Sequence, residues 1–93
     1  MTVTFHLAGF LRAFAGGAHE VRVEAPGPTV GEALRALGER HPGVLARIVD
    51  EQGAVRRHVN IFLGERSIRD VAGLQTAVRD GDDISVLAAV SGG

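Results

Sequence analysis

The chain has no cysteine, no lysine, no tryptophan and no tyrosine. Without cysteine there is no disulfide framework, no thiolate metal site and no cysteine nucleophile. Without lysine there is no Schiff-base chemistry and no Walker-type phosphate loop, whose closing Gly-Lys pair is missing. Lysine's absence also leaves no side-chain amine for an isopeptide bond; all ten basic residues are arginine. Positive charge is not in excess either: the net charge of −1 speaks against a generic nucleic-acid binder, which carries a basic surplus. Long apolar runs are missing too. Nothing approaches the ~20 residues of a membrane span, and residues 1–7 alternate where a signal peptide would run charged and then apolar. The expectation is a soluble, cytoplasmic protein with neither nucleic acid nor membrane as partner.

What is present is an ordinary globular balance, 45% hydrophobic and 23% charged over 93 residues. That length suits one domain, which buries roughly two-thirds of its unfolded surface and folds without staples. Residues 2–7 alternate Val3, Phe5 and Leu7 with Thr4 and His6, a half-buried strand. Residues 8–15 read as a short helical turn or a packed loop, broken by Gly16-Gly17. Val21 and Val23 alternate with Glu20, Arg22 and Glu24, so the first two strands form an antiparallel pair. After the Pro26-Gly27-Pro28 turn, Thr29 and Glu32 have the spacing of a capping box, each able to serve a free backbone N–H. Val30, Ala33, Leu34 and Leu37 then form one apolar helix face, which Pro42-Gly43 ends. Residues 44–49 read as a further short turn and 50–54 as a polar loop.

Residues 57–63 form the next strand, with Val59, Ile61 and Leu63 inward and Asn60 and Phe62 on the other face. Gly64-Glu65 is a turn, 67–71 a short edge strand, and 74–78 is ambiguous. Asp80-Gly81-Asp82 is a tight turn before a last strand over 83–88, with Ile84 and Val86 inward and Leu87 opposite. One good helix among strands clustered at both ends is an α+β pattern, a mixed sheet with a helix laid on one face.

The sequence then closes on Val90-Ser91-Gly92-Gly93. Residues 89–93 extended reach at most roughly 17 Å beyond the last strand. The two terminal glycines carry no side chain, so their backbone fits a narrow slot and adopts angles closed to other residues. A free carboxylate on such a tail can be presented inside another enzyme's active site. The plainer reading, a frayed terminus, stands beside this one.

Other constellations carry less. His6, His19, His41 and His58 stand at no metal-ligand spacing. Ser67, Ser85 and Ser91 lie in no nucleophile elbow. Asp80, Asp82 and Asp83 lack the twelve-residue calcium loop, and a solvated turn accounts for them. Arg56-Arg57 reads as a solvated strand entry. Phe62 and Leu87, on the face opposite the core, are either covered by loops or form an apolar docking patch beside the root of the tail.

The run Val59-Asn60-Ile61-Phe62-Leu63, then Gly73-Leu74, Val78-Arg79-Asp80-Gly81-Asp82, and the last strand leading into Val90-Ser91-Gly92-Gly93 resembles the MoaD/ThiS sulfur carriers. It is most similar to the CysO-like members that serve cysteine synthesis. The resemblance implies a β-grasp (ubiquitin-like) fold with a domain over 1–88 and a flexible tail over 89–93. It implies that the chain is not an enzyme but a protein cosubstrate that binds no cofactor of its own. An adenylating enzyme of the ubiquitin-activating type, using ATP and magnesium, would activate the carboxylate of Gly93. A sulfur donor would then form a thiocarboxylate, and a second, sulfur-accepting biosynthetic enzyme would use it. Gly92 and Ser91 would give the tail access, and Phe62, Leu87 and Val90 would dock the partner. Many relatives have proline where Ala88 stands, which bears on how rigidly the tail is aimed. A molybdopterin-synthase small subunit, a thiamine-pathway carrier, a ubiquitin-like protein modifier and a β-grasp binding module with incidental glycines remain as alternatives.

Overall fold

Alternation of apolar and polar residues dictates the first strand, β1 (Thr2–Leu7), whose Val3, Phe5 and Leu7 are buried while Thr2, Thr4 and His6 are half exposed. The computed structural model describes residues 1–88. After β1 the chain makes a short helix, α1 (Gly9–Arg12), which buries Leu11, then a 3₁₀ turn (Ala13–Ala15), which buries Ala15. Gly16 and Gly17 both take positive φ, +65° and +87°, the left-handed geometry that reverses the chain at little cost for glycine. β2 (Glu20–Glu24) returns antiparallel to β1, from His6 opposite Glu20 to Thr2 opposite Glu24.

The main helix, α2 (Val30–Arg40), starts at Thr29, whose hydroxyl accepts from the Glu32 N–H at 3.2 Å. Only that half of the capping box forms. The Glu32 carboxylate instead accepts from Arg35 at 2.9 Å, three residues on along the helix. Val30, Ala33, Leu34 and Leu37 are buried, as the periodicity requires. The segment expected as a short turn is a seven-residue helix, α3 (Pro42–Ile48). Pro42 ends α2 and opens α3 at once, because a ring that cannot continue one helix has the φ that suits the first position of the next.

β3 (Val59–Leu63) and β4 (Arg66–Ser67) form a hairpin through Gly64-Glu65, with Gly64 at φ +61°. The edge strand expected over 67–71 is therefore shorter and lies earlier. The Ser67 hydroxyl accepts from the Arg69 N–H, which turns the chain into a 3₁₀ turn (Ile68–Asp70) that buries Ile68. The ambiguous segment resolves into a 3₁₀ turn (Gly73–Gln75) and a bridge, Thr29 to Ala77. Thr76 is buried, its carbonyl accepting from Val30 N–H at 2.9 Å and its hydroxyl from Ala72 N–H at 3.1 Å. This loop thereby satisfies a free donor at the start of α2.

β5 (Asp83–Ala88) completes a five-stranded sheet in the order β2-β1-β5-β3-β4. β1 and β5 run parallel at its centre, and every other pair is antiparallel. The core fills the space between one face of the sheet and the helices, with Phe5, Leu11, Leu37, Ile48, Ile61 and Ile84 its largest fully enclosed side chains. Among the described residues, no helix is long and apolar enough to cross a membrane.

Candidate functional site

The face of the sheet turned away from α2 lies open. From β1 it presents Thr2, Thr4 and His6, from β3 Asn60 and Phe62, and from β5 Asp83, Ser85 and Leu87, because these alternate with the buried residues of each strand. Phe62 stands opposite Ser85, and Leu87 opposite Asn60. Phe62 and Leu87 are therefore diagonal neighbours on adjacent strands, at a spacing of about 7–8 Å that long side chains bridge. Leu87 is 43% exposed and Phe62 half-buried. The structure thus brings the two apolar residues together on one face.

Polar groups frame this pair. Arg69 donates to the Asn60 side-chain oxygen at 3.1 Å and to the Val59 carbonyl at 2.9 Å, holding the start of β3 where β4 does not reach. Sequence reasoning missed this role, because Arg69 lay in a stretch read as strand. On the other flank His6 meets Asp83 through Nε2 at 2.8 Å and Glu20 through Nδ1 at 3.5 Å. The two carboxylates sit on opposite nitrogens of one ring and do not converge on a common point. Among the described residues, no group of three or more acidic or histidine side chains is arranged to hold a metal ion.

Charge also gathers where β5 leaves the sheet. Ala88, opposite Val59, is the last described residue; Val90, Ser91, Gly92 and Gly93 lie outside the described residues. On the β1 side, Ala8 N–H donates to the Val86 carbonyl at 3.0 Å, and Arg12 Nε donates to the Leu7 carbonyl at 3.0 Å. On the β3 side, Val59 N–H donates to Arg56, whose own N–H and Nε reach the Ile48 and Ala46 carbonyls at the end of α3. The rings of Phe10 and His58 lie 6.3 Å apart, linking the two sides, and the Arg47 guanidinium covers the Phe14 ring at 4.2 Å. At the other end of the sheet, the Glu24 carboxyl is held below its ordinary pKa, chiefly by the hydrogen bond from the Thr2 hydroxyl and secondarily by the Met1 ammonium. A shallow hollow lined by Gly38, Pro42, Leu45, Ala46, Val49 and Arg56 lies on the helical side, away from the open face.

Residues 5–93 match the ThiS family. Over its whole length the chain is 36% identical to the sulfur carrier protein CysO of Mycobacterium tuberculosis, all of which is covered. Among solved structures, a chain from the Amycolatopsis orientalis BexX/CysO complex superposes with a TM-score of 0.85 at 37% identity, covering 98% of this chain and 99% of that one. Small archaeal modifier protein 1 of Haloferax volcanii superposes with a TM-score of 0.82 at 32% identity, with both chains covered completely. The order and pairing of the strands, the single long helix and these likenesses agree: the chain belongs to the ThiS family and is a ubiquitin-like β-grasp protein of the sulfur-carrier type.

Proposed function

We propose that the protein works through the carboxylate of Gly93, which a partner enzyme adenylates and then loads with sulfur. A carboxylate is ionised near pH 7 and a poor electrophile. One of its oxygens attacks the α-phosphorus of ATP, and pyrophosphate leaves; magnesium and ATP belong to the partner. A sulfur nucleophile then attacks the acyl carbon, AMP leaves, and a thiocarboxylate remains. That group is a soft nucleophile made without cysteine, which this chain lacks. A sulfur-accepting enzyme then takes the sulfur, in the manner suited to cysteine synthesis. The domain over 1–88 carries the tail over 89–93, in which Gly92 and Ser91 keep the approach narrow. Phe62, Leu87 and Val90 dock the partner.

The observation that carries this reading is the full-length likeness to CysO, joined to the open apolar pair at the root of a Gly-Gly ending. The test is direct. The chain is incubated with the activating enzyme of its own organism, ATP, magnesium and sulfide, and followed by intact-mass spectrometry. One oxygen is expected to be exchanged for sulfur, located to Gly93 by fragmentation. A chain that is never adenylated would overturn the reading. The likeness to a small archaeal modifier protein favours a second reading, conjugation to a partner's lysine. An isopeptide as the sole product would decide for it.

A further inference from the structure

Arginines surround the place from which the tail departs. Arg12 and Arg69 are fastened to the carbonyls of Leu7 and Val59, one on each side of β5. Arg56 is fastened to the end of α3, and Arg47 lies flat on Phe14. Arg57, exposed, makes no hydrogen bond or ion pair among the described residues. The acidic groups nearby, Asp50, Glu51 and Asp70, offset part of this charge and leave an excess of arginine. Asp50 Oδ1 is occupied by the N–H groups of Gln52 and Ala54 in its own turn. Glu51 stands 3.9 Å from Arg56 with its side chain 92% exposed, and Asp70 follows Arg69 in the chain. The other end of the central strands is acidic. Asp80 and Asp82 accept from the Thr2 and Arg79 N–H groups, Asp83 opens β5, and Glu24 stands opposite Thr2; Arg79, the Met1 ammonium beside Glu24 and Arg66 on β4 offset part of that charge. A net charge of −1 is thus divided into two poles along the direction in which β5 runs.

We infer that this arginine collar is an electrostatic docking surface for a carboxylate-rich protein surface at the mouth of the channel that receives the tail. The inference rests on the carrier reading above and adds a second contact area, separate from the apolar face at Phe62 and Leu87. Reach decides what the collar touches. The tail carries its carboxylate up to roughly 17 Å from Ala88, well beyond any arginine rooted at the exit. The collar therefore meets the rim of the channel and not the nucleotide at its end. The acidic far pole and the absent basic surplus disfavour nucleic acid as partner. Guanidinium groups pair with carboxylates through two parallel N–H bonds, and they stay protonated. Arginine also supplies charge without a free amine.

The test has two arms. In the first, association with the activating enzyme of the same organism is followed by stopped flow from about 50 to 500 mM salt. The on-rate is expected to fall at least about tenfold as the charges are screened. Arg57→Glu and Arg47→Gln, both on exposed side chains, should each slow association severalfold and leave dissociation nearly unchanged. Phe62→Ala should do the reverse. An on-rate indifferent to salt and to Arg57→Glu would overturn the inference. In the second arm, the labelled chain is titrated with deca-glutamate and observed by NMR. Amide shifts are expected at Arg47, Arg56, Arg57, His58 and Arg69, and none at residues 80–83. Tighter binding of a single-stranded oligonucleotide of equal charge would overturn the acidic protein partner. The two readings fail separately. Thiocarboxylate formed with salt-indifferent association removes the collar alone. Deca-glutamate bound at the collar of a chain that is never adenylated removes the channel and leaves the acidic partner.

Discussion

Gly92 and Gly93 have no side chain with which to widen the tail, and the proposed chemistry depends on that narrowness. Gly92→Val should impair loading, because a β-branched side chain both fills the slot and restricts the backbone. Deleting Gly93 should abolish loading while thermal unfolding stays where it was, since a chain end contributes little to stability. Intact mass and a melting curve on the same samples check both outcomes. Phe62 belongs to the same scale. Phe62→Ala should weaken binding to the activating enzyme by about 2 kcal/mol or more, measured by calorimetry, and lower stability by less, because the ring is only half-buried. Glu24 offers a pH test. Its pKa is depressed in the folded chain, so the stability it adds is complete above the pKa of the unfolded chain, about 4.3 for a free carboxyl. That contribution is lost as pH falls through the lower, folded value. Thr2→Ala removes the largest cause, and the Glu24 titration followed by carboxyl NMR should move upward.

At the scale of elements, α2 and α3 meet more closely than side chains normally permit. A Cβ at Gly38 would stand 2.3 Å from Leu45 Cδ2 and 3.0 Å from Leu45 Cβ, so the Leu45 side chain would have to move aside and its backbone give slightly. Gly38→Ala should therefore destabilise the fold by about 1–3 kcal/mol, although alanine is the better helix former by nearly 1 kcal/mol. Leu34→Ala, which empties a buried site on the same helix, should cost about 2–5 kcal/mol. Urea unfolding measures both. The sequence made some of these elements plain and hid others. β1, β2, β3 and β5 were legible because one face of each is buried, which imposes the alternation that reading depends on. α2 was legible through Thr29 and its apolar face. α3 was hidden because Pro42-Gly43 reads as a terminator, and a proline says the same thing whether it ends one helix or opens the next. The edge at β4 was misread because the Ser67 hydroxyl, a local competitor for the backbone, turns the chain after two residues. The open half of the capping box went unforeseen because Arg35 claims Glu32, a competition the spacing rule does not contain.

Across the whole molecule, the pairing of β1 with β5 is what joins sequence ends to sheet centre, and it follows from burying two apolar faces on one helix. The apolar half of the site was legible from parity alone, since Phe62 and Leu87 each alternate with core residues. The arginine collar was not. Arg12, Arg47, Arg56, Arg57 and Arg69 are scattered over much of the chain, and only the folded topology assembles them at one end. The tail carries the residues on which the proposed chemistry turns, and that chemistry comes from the family resemblance, not from geometry.

The parallel pairing of β1 and β5 has a mechanical consequence. A partner that grips the tail and draws it into a channel pulls along β5, while the body of the domain resists through β1 on one side and β3 on the other. Thr4–Asp83, Phe5–Ile84, His6–Ser85 and Leu7–Val86 then bear the load side by side, in shear. Bonds loaded in this way must give together, whereas a hairpin pulled open gives one rung at a time. The β-grasp domain is thus built to be held by its tail without being unravelled.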